Sequence, residues 1–249
     1  MLERKTILIL SPQDWGRMML SKHHYALSLA ARGNRVFFLA PPDQKQEMAP
    51  GTIRVEEVAA CPRLSVVRHR LPFPYDIRFH ARPVFHALMY FHVRRIIKAI
   101  GARPDIIWSF DLGGLYPFSL FDRKALKIFH PVDEPLNEDA IRAGRGADVI
   151  FSVTREILEK YRGNDAPGHF VHHGVDDVFL QEPGPPPVAG SLLRFGFSGN
   201  LVRNDIDRDT LLNIVKQSPH VQFDCWGATS QGASNIGGTE DRATYEFIT

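Results

Sequence analysis

The sequence predicts an α/β fold built on a mostly parallel sheet, a Rossmann-like domain followed by the opening of a second one. Two observations carry this. Short β-branched or aromatic runs alternate with helical patterns along most of the chain, as in successive βαβ units. Near residue 181 the alternation stops at a proline-rich stretch and then restarts.

The first strand is expected at Thr6–Leu10, followed by a turn-rich loop, Ser11-Pro12-Gln13-Asp14-Trp15-Gly16. Ser21 can cap a helix through Ala31, with Gly33 as the residue that stops it. Arg35–Leu39 is the second strand, closed by Pro41-Pro42. Leu64–Arg70 and Asp105–Phe110 follow as strands, and Ile77–Ile100 between them reads as a helix interrupted near Pro83. Ala125–Phe129, Asp148–Val153 and His169–His172 continue the strands, with helices near Asn137–Arg145 and Thr154–Tyr161. These elements make an N-terminal domain over residues 1–180.

Residues 181–191 hold Pro183, Pro185, Pro186 and Pro187 and make an extended linker. Beyond it, Leu193–Phe197 is a strand, Asp207 a cap, Thr210–Gln217 a helix and Val221–Trp226 a strand. Residues 192–249 are thus a second α/β domain that opens and then stops. About 60 residues suffice for two βα units, fewer than the roughly 100 to 150 of an ordinary domain, so the chain reads as cut short.

Composition excludes several classes. With 44% hydrophobic and 23% charged residues the chain is globular. No apolar run reaches transmembrane length, and no secretory signal is visible, which points to the cytoplasm. Cys61 and Cys225 are too few for a disulfide scaffold or a cysteine zinc site. The G-x-G-x-x-G, G-x-x-x-x-G-K-[ST] and G-x-S-x-G patterns are all missing, which argues against a dinucleotide site, a P-loop and a hydrolase elbow. The net charge of +2 hides an asymmetry: residues 1–104 carry 17 Lys/Arg against 7 Asp/Glu. Arg63–Arg103 holds nine basic residues against Asp76 alone, interleaved with aromatics such as Phe79, Phe85 and Phe91. That face attracts anions. A solvated helix over a core, an anionic membrane surface and single-stranded nucleic acid all remain readings of it.

Ligands of an open parallel sheet sit beyond the C-terminal ends of its strands, which selects five loops. Trp15, in the loop after the first strand, either lines a pocket or plugs the sheet edge. Of His23 and His24 at the following helix start, at most one faces a cleft. Asp111 either caps the next helix or offers a carboxylate. His130, Asp133 and Glu134 combine an imidazole and two carboxylates at a strand end, a set able to position a hydroxyl and accept its proton; the bland alternative is a proline-bounded turn. His172 and His173 are adjacent and do not readily chelate one metal. Ser198-Gly199-Asn200 is a strand-to-helix turn whose amides suit a phosphate.

The run from Trp15 through Ser21-Lys22-His23-His24-Tyr25-Ala26 to Gly33, Val36 and Pro41-Pro42 resembles the opening of GT-B glycosyltransferases of family 4, or group 1. So do Val132-Asp133-Glu134, Ala147–Thr154, His173-Gly174-Val175-Asp176-Asp177-Val178-Phe179, and Phe195-Gly196-Phe197-Ser198-Gly199-Asn200 with its downstream helix. The resemblance implies a two-domain transferase using a nucleotide-activated sugar of UDP or GDP type, with no cofactor or bound metal and with retained configuration. The N-terminal domain would hold the acceptor and the C-terminal domain the donor. By position, His130 and Asp133 would be catalytic. Trp15, His23, Asp111 and Glu134 would line the acceptor side, and Gly199, Asn200 and Arg203 the donor diphosphate. Two departures stand out: Asn200 occupies the place of the family's arginine, with Arg203 only a loose substitute, and Glu240 and Glu246 do not have the spacing of its E-x7-E element. The chain alone is therefore expected to be inactive.

The expected partners are a nucleotide-sugar, a glycan or lipid-linked acceptor, and an anionic inner membrane surface met by Arg63–Arg103, with no nucleic acid. A surface-polysaccharide role would fit. A nucleotide-sugar epimerase of the same fold and a non-catalytic glycan- or partner-binding module are the alternatives.

Overall fold

The computed structural model describes residues 2–16, 19–175, 180–181, 184, 192–199 and 206–227. The chain divides into two compact units, Met1–Val175 and Asp176–Thr249.

The first unit is built on an eight-stranded sheet. Its strands are β1 (Thr6–Leu10), β2 (Arg35–Leu39), β3 (Ile53–Val58), β4 (Cys61–His69), β5 (Ile106–Ser109), β6 (Leu126–Phe129), β7 (Val149–Ser152) and β8 (Gly168–Phe170). Their spatial order is β3-β4-β2-β1-β5-β6-β7-β8. Every neighbouring pair is parallel except β3–β4. The Rossmann-like α/β class expected from the sequence is the class observed. After β4 the chain crosses back to the far side of β1, so the topological switch point lies between β1 and β5, where such sheets bind ligands.

Both faces of β1 are covered, as its unbroken apolar run requires. Ile7 and Ile9 point into one core with Ala26, Phe38, Trp108 and Ile128, and Leu8 and Leu10 into a larger one with Phe37, Met89, Val93 and Phe129. Full burial of such a side chain is worth about 1.5–3 kcal/mol. Helix α1 (Ser21–Ala31) covers the first face through Lys22, His23, Ala26, Leu29 and Ala30. The second face is covered by α3 (Arg82–Ile100) through Phe85, Met89, His92, Val93, Ile96 and Ile100.

Several local expectations are refined. Helix α1 starts one residue earlier than a Ser21 cap implies, with Leu20 at the N-cap. Leu20 has no side-chain acceptor, and the His23 ring takes over part of the capping. Gly33 lies just past the helix end at φ +85, the left-handed geometry that suits glycine. The interruption expected near Pro83 is a break between two helices, α2 (Ile77–His80) and α3, at Ala81. Pro83 sits in the first turn of α3, where its missing N–H costs nothing. The antiparallel hairpin partner β3 adds a strand to those the sequence predicts, and β4 begins at Cys61 rather than Leu64. Short helices α4 (Glu138–Arg142) and α5 (Arg155–Lys160) are capped by Asn137 and Thr154, whose side chains accept from Ala140 N–H and Ile157 N–H.

In the second unit β9 (Leu193–Ser198) pairs in parallel with β10 (Val221–Trp226), and α6 (Arg208–Gln217) connects them. Asp207 caps α6, accepting from the Thr210 N–H at 3.0 Å. Most of the 181–191 linker lies outside the described residues, as do Asp176–Phe179, Glu240 and Glu246.

Candidate functional site

The loops after β1, β5 and β6 meet on the α1 face of the sheet. His130 follows β6 directly, and its backbone N–H donates to the Ser109 carbonyl at 2.8 Å. This continues the β5–β6 ladder one residue past the strands and fixes the ring over the first core. The imidazole is fully buried. It stacks on Phe110 at 4.9 Å between centroids and on Trp108 at 6.1 Å, and meets the edges of Tyr25 at 5.3 Å and Phe151 at 5.8 Å. Neither ring nitrogen has a hydrogen-bond partner among the described residues. Burial, and secondarily the nearby His173, lowers its pKa to about 4. At neutral pH it is therefore an uncharged imidazole with a donor and an acceptor both unused.

A second aromatic cluster lies at the start of α1. His23 is buried; its Nδ1 accepts from the Leu20 N–H at 3.0 Å and its Nε2 lies 3.0 Å from the Asp14 carbonyl. The ring therefore closes the helix N-terminus, a place usually filled by Glu or Gln. It stacks on Phe38 at 4.9 Å and touches Trp15 at 5.2 Å. Burial lowers its pKa. Arg68 pins the loop from the other side: it pairs with Asp14 at 2.6 Å and Glu56 at 3.1 Å, and donates to the Trp15 carbonyl at 3.0 Å. Tyr25, from the same helix, reaches the His130 cluster. One helix therefore carries side chains to both.

The polar rim contains a residue that local sequence reading passes over. Lys22 is buried, donates to Gln13 Oε1, and has a pKa lowered by desolvation, offset in part by the Asp133 carboxylate. A lysine in the first turn of a helix opposes the helix dipole. That mismatch, two residues past the loop of a switch-point strand, is the signal that could have found it. His24, by contrast, is exposed.

The remaining candidates are placed as follows. Asp133 and Glu134 are exposed, and Glu134 is ion-paired to Lys160 of α5. Asp111 is buried, and its carboxylate accepts from the Gly113 and Leu115 N–H groups at 2.8 Å each, closing the turn after β5. Burial raises its pKa against those bonds. Gly199 follows β9, and its N–H donates to the Trp226 carbonyl at 2.9 Å. Asn200 and Arg203 lie outside the described residues. Of the basic-aromatic stretch, Phe85 is buried in the larger core, whereas Phe79 and Phe91 are 67% and 66% exposed. Among the described residues, no helix is long and apolar enough to cross a membrane.

No protein-family model matches the chain, and no curated protein matches it by sequence. Among solved structures it is similar to an alpha,alpha-trehalose-phosphate synthase (UDP-forming) from Burkholderia vietnamiensis. The TM-score is 0.51 at 13% identity, over 99% of this chain and 68% of that one. The likeness is one of fold.

Proposed function

We propose that the chain serves a glycosyltransferase reaction that moves a sugar from a UDP- or GDP-sugar onto a glycan or lipid-linked acceptor, with its first unit binding the acceptor. In this reading residues 1–180 hold the acceptor and residues 192–249 serve the donor, with Gly199, Asn200 and Arg203 on the diphosphate side. The observation that carries it is His130: a buried imidazole, kept neutral, with both nitrogens unused, at the end of a strand beside the switch point. An unpartnered buried polar group costs about 1–3 kcal/mol, and a fold tolerates that most readily where a ligand supplies the missing bond. The likeness of fold to a UDP-forming synthase supports the same direction.

In the proposed mechanism the loops around the buried His130 part to admit the acceptor sugar, which stacks against the aromatic rings and hydrogen-bonds the imidazole. Asp133, on the exposed rim, approaches the attacking hydroxyl and draws on its proton. Lys22 balances the Asp133 charge. Trp15 and His23 shape the side of the pocket nearest β2, and Asp111 holds the loop after β5 in place. The bond from the anomeric carbon to the nucleoside diphosphate breaks as the acceptor oxygen bonds that carbon on the same face, and the hydroxyl proton ends on the departing phosphate, so configuration is retained; the chemistry uses no metal. Arg63–Arg103 meets the anionic inner face of a membrane that carries the acceptor.

The test is a titration of the chain with oligosaccharide and lipid-linked sugar acceptors, read by tryptophan fluorescence, alongside release of nucleoside diphosphate from UDP- and GDP-sugars. Saturable acceptor binding, weakened at least about tenfold by His130→Phe, is expected. If no acceptor in the panel binds and no nucleotide is released, the reading fails.

A further inference from the structure

On the opposite face of the sheet, between α2–α3, residues 113–121 and α4, lies a cavity of about 730 Å³. That is within the range of small-molecule sites, about 300–1,000 Å³. Its lining is of two kinds. One wall is apolar and aromatic: Phe79, Phe85, Met89, Leu115, Phe118 and Phe121. The other is cationic: Arg78, Arg82, Arg123, Lys127, Arg142 and Arg145, against the single lining carboxylate of Asp139.

The cations fall into two groups. Arg82 and Arg142 share Asp139, at 3.0 and 2.6 Å, and Arg142 also lies 4.0 Å from Glu138. Arg78 donates to the Gly113 carbonyl and the Tyr75 hydroxyl. Their positions are fixed by protein partners. At Arg123, Lys127 and Arg145 the situation differs. Arg123 and Arg145 are exposed and have no carboxylate partner among the described residues. Lys127 is buried, and its ammonium is held by the Arg123 and Ala125 carbonyls at 3.3 and 2.8 Å. The nearest acids do not line the cavity. Asp122, which feels the Lys127 charge, accepts from the Lys124 N–H, and Asp148 accepts from the Lys127 N–H. Three cations therefore line the apolar cavity with no lining carboxylate paired to them among the described residues. Of the lining residues, Phe79 is left two-thirds exposed, a cost that an apolar chain laid against it would relieve.

We propose that this cavity binds a single-chain anionic amphiphile, its phosphate or carboxylate head on Arg123, Lys127 and Arg145 and its hydrocarbon chain along Phe79, Phe85, Met89 and Phe118. Guanidinium groups suit such a head because they meet its oxygens bidentately. The site is separate from the His130 cluster: β6 alternates, placing Phe129 in the core behind this cavity and Ile128 in the core beneath His130. The two readings therefore stand or fall independently.

Calorimetric titration of the chain with dodecyl phosphate, below its micelle concentration, tests the site, with dodecyl maltoside and inorganic phosphate as controls. Dodecyl phosphate should bind at least about tenfold more tightly than either control. The double variant Arg123→Glu/Arg145→Glu, which alters only exposed side chains, should weaken it by about tenfold or more, and Phe79→Glu should weaken it independently. Equal binding of dodecyl maltoside would make this a plain apolar groove, and equal binding of phosphate a plain anion site. Either result overturns the proposal, as does an unchanged affinity in the charge-reversed variant or no binding at all. Adsorption to phosphatidylglycerol vesicles without binding of the monomeric amphiphile would also overturn it, and would assign the charge to a membrane surface.

Discussion

His69 and His92 face each other in the interior of the larger core, Nδ1 of the first 2.9 Å from Nε2 of the second, and the Tyr116 hydroxyl closes the row 2.7 Å from His69 Nε2. Burial pushes both imidazoles well below their ordinary pKa, to about 3 for His69 and about 4 for His92, and the mutual repulsion of the two rings if protonated and the Arg95 guanidinium beside His92 act in the same direction. His130 behaves alike on the other face.

Acid should therefore unfold the first unit early. In the fold these three imidazoles stay neutral, whereas in the unfolded chain they take up protons below about pH 6.5. The unfolded state binds more protons, so stability is complete above that pH and is lost as pH falls toward the folded values. The slope is about 1.4 kcal/mol per pH unit for each ring. Thermal unfolding between pH 7.5 and 4.5 should show a steadily falling Tm, with a shallower fall in His92→Leu. A Tm independent of pH across that range would contradict this.

Tyr116→Phe removes the hydroxyl that satisfies His69 Nε2. The orphaned nitrogen should cost about 1–3 kcal/mol, measured by urea unfolding, with little change in acceptor binding because the row lies away from the His130 cluster.

His130→Phe should separate stability from function. It keeps the ring's shape among Trp108, Phe110 and Tyr25 and removes two unpartnered nitrogens. Stability is expected to rise by about 1 kcal/mol while acceptor binding is lost. A destabilised variant would mean that the ring nitrogens are satisfied in solution.

Arg68→Met releases the loop that carries Trp15. Partly exposed ion pairs are worth only about 0–1 kcal/mol, so unfolding should move little. Trp15 fluorescence should shift toward that of a solvated indole, and acceptor affinity should drop. Unchanged emission would show that the His23–Trp15 contact holds the loop alone.

Asn137→Ala deletes the cap of α4 and should cost about 1 kcal/mol. Because the turn that follows α4 carries Arg145 to the cavity, dodecyl phosphate affinity should fall with it, as calorimetry on the folded variant would show.

Much of this architecture is legible locally. The Thr6–Leu10 run is apolar on both faces because parallel strands are buried on both, and Gly33 marks its helix end by backbone geometry alone. Strand β3 was hidden because Ile53-Arg54-Val55-Glu56-Glu57-Val58 is an exposed edge, with polar residues where a buried strand would show none. The strand-end position of His130 is visible in sequence, but its lack of partners is not, since the enclosing rings come from α1, β7 and the end of β5. Lys22 looks like any solvated lysine until the loop after β1 folds over it. The cavity is the least legible. Arg123, Lys127 and Arg145 belong to the half of the sequence that is acidic overall, so a charge count along the chain conceals the cations that space brings together.

The position of β1 also orders events in time. Ile7 pairs with Val36 on one side and with Ile106 on the other, so about a hundred residues must be added before both its edges are filled. Until β5 arrives, a growing chain holds a fully apolar strand with one open edge, the condition most prone to pairing with a stranger. The element made early is thus among the last to be sealed. The long α3, whose contacts within itself are local and quick to form, can cover the Leu8 and Leu10 face of that strand in the interval but not its edge.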